Sequence, residues 1–392
     1  MDLLTTTGSV GDPAKHPAKR ILAFDGLRGV AALAVVIFHF LCLLRPTYVP
    51  TMTSTSAALT QTPIYVLWNG AFAVAIFFAL SGFVMAAAAD RRGQGLLVSS
   101  AARYLRLALP ATASCLVAWL WLQTFSDATQ IMGASLEEPS RWLGYTRQGE
   151  IGPIYHPIAD GLISSFVKGS SLFNNVLWTM QVELIGSLGI FVLYRLSTKL
   201  LRIGALLLAG VAVLLVLPDA YLAFVLGAGL YEAHRSGVLE RLPSAFPLAA
   251  LLVGLVLGGV GPGSHETWGL PYVPERWQIG TERGLVSIFA AVLLIYAALM
   301  IPRLADLLAA RVPLGLGRIS FSLYLVHVPP LYTIVAWAYV TGAIPFPLLA
   351  ALYFVGVLLM AWAFTLWVDE PVLRWLSAQR RKWTAQLGQS SA

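Results

Sequence analysis

Within residues 21–40, ILAFDGLRGVAALAVVIFHF, an arginine and a histidine interrupt a run that is otherwise almost wholly apolar. Eleven residues of α-helix turn through about 1,100°, roughly 20° past three full turns, so Arg28 and His39 share a face about 16 Å apart along the axis. They are too distant to touch, but they can line two levels of one channel. Ionisable side chains inside an apolar span face the interior of a bundle and mark a pathway for substrate or protons. Glu183, inside the apolar stretch that follows NNVLWTMQVE's paired asparagines, belongs to the same class. Counted from the start of its run it lies near the depth of His39, where a carboxylate can orient an imidazole for general-base work. Ser81 and Gly82, in FFALSGFVM, lie near the depth of Arg28 and suit either close helix packing or a ligand path. GRISFSLYLVHVPP brings Ser320, Ser322, Tyr324 and His327 into the start of a late apolar run.

The elements that must hold these residues are membrane helices. The chain has 392 residues, of which 58% are hydrophobic and 11% charged, against about 25% charged in a typical soluble domain. Mean hydropathy is +0.74. Apolar runs of the length that spans a bilayer stand near 22–44, 64–88, 102–124, 174–195, 199–217, 219–234, 245–261, 284–301, 319–341 and 346–368. The expected fold is all-α: a polytopic bundle of ten transmembrane helices. Lys15, Lys19 and Arg20, then Arg91, Arg92, Arg103 and Arg106, then Arg195, Lys199 and Arg202, then Arg303, Arg311 and Arg318, and finally RWLSAQRRKW all fall on one side if both termini are cytoplasmic.

That arrangement gives a polar segment 1–20, a membrane domain 21–371 and a basic cytoplasmic tail 372–392. The first twenty residues lack the apolar core of a cleavable leader, so the first span is expected to be retained. The net charge of +7 is thereby assigned to topology, and nucleic acid is not an expected partner. Cys42 and Cys115 both lie in apolar runs and read as buried thiols, with neither a disulfide nor a metal site. Loops near 125–173 and 262–283 fall on the outer side; their mixed charge and aromatics suit a polar acceptor or packing over the bundle.

The stretches DGLRGVAALAVVIFH, FFALSGF, RYLRLALP, LWTMQVE, GRISFSLYLVH and DEP, in this order over residues 24–371, closely resemble the acyltransferase 3 family of integral-membrane acyltransferases. The resemblance implies transfer of an acyl group, often acetyl, from cytoplasmic acyl-coenzyme A to a hydroxyl of an extracytoplasmic glycan or a small molecule, in a multi-pass protein of the bacterial inner membrane. It implies that Arg28 and His39 are the paired essential residues and that Arg103 and Arg106 are the basic patch after the second span. Glu183 matches the acid of the Trp-Thr motif, and Tyr324 and His327 match the late Tyr-Leu-x-His segment. Where many members have Ser-Tyr-Ser, this chain has Ser320-Phe321-Ser322.

Chemistry and resemblance together give one scheme. Arg28, Arg103 and Arg106 would hold the coenzyme A phosphates, for which guanidinium groups have the matching donor geometry. The pantetheine arm would pass Ser81 and Gly82, with Tyr324 and His327 completing the donor site, and His39, oriented by Glu183, would act as general base or acyl carrier. The rival reading is a proton-coupled transporter with Arg28, His39 and Glu183 as its relay. No inverted repeat or matched pair of broken helices supports it.

Overall fold

The computed structural model describes residues 22–50, 52–91, 95–146, 151–196, 198–261 and 284–389. The polar segment 1–20, the loop 262–283 and Arg92 lie outside these residues. Among the described residues the secondary structure is entirely helical. The principal helices are α1 (Leu22–Leu44), α2 (Gly70–Asp90), α3 (Leu96–Phe125), α4 (Thr179–Leu196), α5 (Lys199–Leu215), α6 (Ala220–Arg235), α7 (Phe246–Gly258), α8 (Leu285–Met300), α9 (Arg311–Val326), α10 (Phe346–Phe364) and α11 (Glu370–Gln389).

A helix therefore stands at each expected apolar run. Five helices among the described residues are long and apolar enough to cross a membrane, or seven if two bent pairs each count as one. Helices α5 and α7 are apolar but shorter. The bends have sequence causes. After α8 the chain turns by 101° into a short helix opened by Pro302, and after α9 it turns by 46° into the segment Val328–Thr341. There Pro329 and Pro330 supply no N–H to the preceding turn, which breaks the ladder. Helix α10 passes through a π-turn, Thr365–Asp369, straight into α11, so the basic C-terminal stretch continues the last helix.

Two close crossings set the framework. Helix α1 packs along α9, and α2 packs along α6. A Cβ at Gly29 would overlap the backbone of Leu316 and Gly317, and one at Gly82 would overlap the backbone of Phe224. Only glycine permits backbones to approach this closely. The glycines of DGLRG and LSGF are thus required where helices meet. Asn69 caps α2, its side chain accepting from the Phe72 N–H at 3.3 Å, and it donates to the Gly258 carbonyl at 2.9 Å, tying the start of α2 to the end of α7.

At the opposite end of α2 an ionic network joins four helices, α2, α4, α5 and α6. Arg202 of α5 donates to Asp90 (2.8 Å) and Glu232 (3.1 Å), Arg235 donates to both acids, and the Tyr231 and Tyr194 hydroxyls complete the set. Arg202, read from sequence as an orienting surface charge, is in fact 5% exposed. Each acid meets both arginines, so losing one member leaves the remaining charges still partnered.

Candidate active site

The N-terminal part of α1, the stretch Val74–Met85 of α2, the first half of α3 and parts of α4, α9 and α11 line a cavity of about 670 Å³. Arg28, Arg103 and Arg106 all line it, joined by Arg318, which sequence reasoning counted only as a loop charge. The same wall carries Asp25, Glu183, Asp369 and Glu370. Each guanidinium faces one of these acids: Arg28 stands 3.7 Å from Asp25, Arg103 2.8 Å from Glu183, and Arg318 2.6 Å from Glu370. Arg106 forms a two-pronged pair with Asp369. The acids of DEP are therefore part of the cavity wall, and the π-turn immediately before Glu370 aims Asp369 at Arg106. Beneath Arg106 lies the ring of Phe321, its centroid 4.6 Å from the guanidinium carbon.

These pairs hold the arginines without exhausting them. Arg103 gives its Nε–H to Ser187 (2.9 Å) and one Nη2 hydrogen to Glu183, and Arg318 directs Nε and Nη2 at Glu370. No described residue accepts from the remaining N–H groups of either side chain, which can therefore meet an anion entering the cavity. Ser81 also lines the cavity and donates to Glu183 at 2.7 Å. Gly82, expected beside the donor path, instead faces α6 and serves packing.

Toward its inner end the cavity turns apolar, with Val74, Phe77, Phe78 and Met180 on its walls, and closes on Thr179 and Tyr324. The Tyr324 hydroxyl donates to the Val176 carbonyl (2.9 Å) and lies 3.0 Å from the Thr179 hydroxyl. Its ring meets Phe77 edge-on at 6.1 Å.

Behind this floor is the histidine end. His39 is half-buried and His327 fully buried; neither lines the cavity. His327 Nε2 stands 3.1 Å from His39 Nδ1, with ring centroids 5.0 Å apart. His39 Nδ1 also faces the Val35 carbonyl at 3.0 Å, and His327 Nδ1 faces the carbonyls of Tyr324 (2.8 Å) and Leu323 (3.0 Å). Phe38 and the Trp142 of the 125–173 loop flank the His39 ring. Glu183 is not part of this group. Its two carboxylate oxygens are held by Ser81 and Arg103, and among the described residues no hydrogen bond joins it to His39. Counting along the sequence placed Glu183 with His39; the structure places it instead with Ser81 and Arg103, in the cavity that Arg28 lines.

The position of His327 follows from the proline break. Pro329 cannot donate to the Leu325 carbonyl, and Asn174 does so instead at 2.7 Å, with a further hydrogen bond to the Ser114 hydroxyl at 3.2 Å. Asp160 fixes the strand of chain leading to Asn174 by accepting from the Leu172 and Phe173 N–H groups at 2.9 and 3.2 Å. The Tyr353 hydroxyl donates to the His327 carbonyl at 3.2 Å. Asn174 and Asp160 escaped sequence reasoning, although the NN pair ahead of LWTM and the adjacent prolines in HVPP were the signals available.

A cavity ringed by arginine–carboxylate pairs, floored by a tyrosine and backed by a histidine pair inside a bundle of apolar helices defines an integral-membrane transferase. Residues 21–366 match the acyltransferase domain of the acyltransferase 3 family, and the chain belongs to that family. It is similar to acyltransferase R4 of Phoma sp., with 24% identity over 454 aligned positions that cover 92% of this chain and 95% of that protein. No solved structure matches it significantly. The protein is an acyl-transferring enzyme, and the transporter reading has no support in these relationships.

Proposed function

We propose that the enzyme transfers an acyl group, acetyl in the simplest case, from acyl-coenzyme A to a hydroxyl of a glycan or small polar acceptor. The observation that carries this reading is the sequence of environments along α1: guanidinium groups at Arg28, an apolar chamber, then an imidazole at His39. Coenzyme A has matching parts, since its phosphates suit the spare N–H groups of Arg103 and Arg318 and its pantetheine arm suits the chamber. The Tyr324 floor must open for the thioester to meet His39. There His39 takes the proton from the acceptor hydroxyl as the oxygen attacks the thioester carbonyl. The C–S bond then breaks, and the departing thiolate recovers the proton from the imidazolium, giving ester and free coenzyme A.

The ten-span topology with cytoplasmic termini in a bacterial plasma membrane puts the Arg28 end toward cytoplasmic donor and the Trp142 side toward an external acceptor; these placements rest on the basic-segment pattern. The test is release of free coenzyme A from acetyl-coenzyme A by purified protein in lipid nanodiscs supplied with envelope glycans. Wild type should turn over, His39→Ala should bind donor without turnover, and Arg28→Ala should bind donor weakly. If wild type neither binds nor consumes any acyl-coenzyme A, the reading is wrong.

A further inference from the structure

The two histidines determine each other's protons. The carbonyls of Leu323 and Tyr324 can only accept, so His327 Nδ1, 3.0 and 2.8 Å from them, must carry its proton there. A second proton, on Nε2, would place a charge at a fully buried site with no carboxylate hydrogen-bonded to it among the described residues, which is strongly unfavourable. His327 Nε2 is therefore a lone pair, and it points at His39 Nδ1. That nitrogen also faces the Val35 carbonyl, so both of its neighbours are acceptors and it must be the protonated one. Its hydrogen is shared between Val35 and His327. The proton-free nitrogen of His39 is then Nε2, to which no described residue is hydrogen-bonded.

We infer that His327 is a positioning residue: its Nε2 fixes His39 in the Nδ1–H tautomer and so leaves His39 Nε2 as the basic nitrogen. The inference rests on the proposed role of His39 and adds what orients it, a task that a carboxylate performs in other imidazole bases. A neutral imidazole does it here. When His39 gains a proton from the acceptor, His327 Nε2 accepts from the imidazolium Nδ1–H without any net charge having been buried beforehand. The proline break supports the arrangement. It ends α9 at His327, with Asn174 holding the Leu325 carbonyl just before it and Tyr353 holding the carbonyl of His327 itself.

The first measurement requires no substitution at His327. In protein labelled with ¹⁵N-histidine in nanodiscs, the His39 signals, identified among six histidines by their loss in His39→Ala, should report Nδ1–H and a bare Nε2. An Nε2–H tautomer overturns the inference. The second measurement compares side chains. Glutamine can place a carbonyl oxygen near the position of Nε2, whereas asparagine reaches only as far as Nδ1. His327→Asn should lower kcat by about 100-fold, with His327→Gln restoring it to within about tenfold of wild type. KM for acetyl-coenzyme A should change by less than about twofold in both. Equal activity of the two variants overturns the inference, since a role limited to holding the backbone would favour neither. Should His39→Ala itself retain turnover, the general-base reading falls, and the tautomer measurement still decides the relation between the two rings.

Discussion

The two ends of α1 solve the problem of buried polarity in opposite ways. At Arg28 the wall carries four guanidinium groups and four carboxylates, each arginine facing an acid. At His39 there is no carboxylate hydrogen-bonded to either ring among the described residues, and the polar atoms are satisfied by carbonyls and by each other. A site made of paired charges can exchange one anion for another, because Arg103 and Arg318 keep N–H groups that no described residue accepts. A site made of neutral imidazoles can hold a proton briefly and return it. The first suits recognition of a polyanionic donor and the second suits proton transfer, with the Tyr324 layer between them.

Substitutions can break this contrast in a graded way. The largest effect is expected at His39, where alanine should remove general-base catalysis and lower kcat by at least about 100-fold, measured as coenzyme A release, while donor binding by titration stays near wild type. Glu183→Ala comes next. It strands Arg103, whose side chain is only 15% exposed, and should lower stability by about 3–5 kcal/mol, read as a fall in the thermal unfolding midpoint of protein in nanodiscs. That variant should also test the separation of Glu183 from His39: with folding restored by lower temperature, the pH dependence of kcat should match wild type. Asn174→Ala removes the donor to the Leu325 carbonyl and should cost about 1–3 kcal/mol, with a kcat loss because His327 is no longer held. Arg318→Ala is the mildest. Its pair with Glu370 is more than half exposed on the arginine side, so stability should change by no more than about 1 kcal/mol. Donor affinity in that variant should fall, and fall further at low salt relative to wild type, because the lost contact is electrostatic.

The contrast was half legible in the sequence. The apolar runs located the helices because hydrophobic length is a local property, and the Arg28–His39 spacing placed both residues on one helix at two levels. Arg103, Arg106 and Ser81 were expected at the cavity, and they line it. The number of spans was less legible, because α5 and α7 are short and prolines bend two of the runs, at Pro302 and Pro329. Partnerships failed for a different reason. His39 and His327 are 288 residues apart, and Arg106 meets Asp369 across 263; depth along a span does not fix the lateral neighbour. Glu183 was assigned to His39 by depth and belongs to Arg103. Gly82 was assigned to the donor path by its neighbour Ser81, although successive helical residues point about 100° apart.

The π-turn at Thr365–Asp369 is one residue wider than a turn of α-helix. Everything after it is therefore phased by an insertion. The wide turn absorbs about one extra residue, so α11 continues the line of α10 while the sequence period slips by one position. A regular 3.6-residue count carried down from α10 would therefore misplace the faces on which Asp369 meets Arg106 and Glu370 meets Arg318, a slip that no composition or hydropathy profile would register.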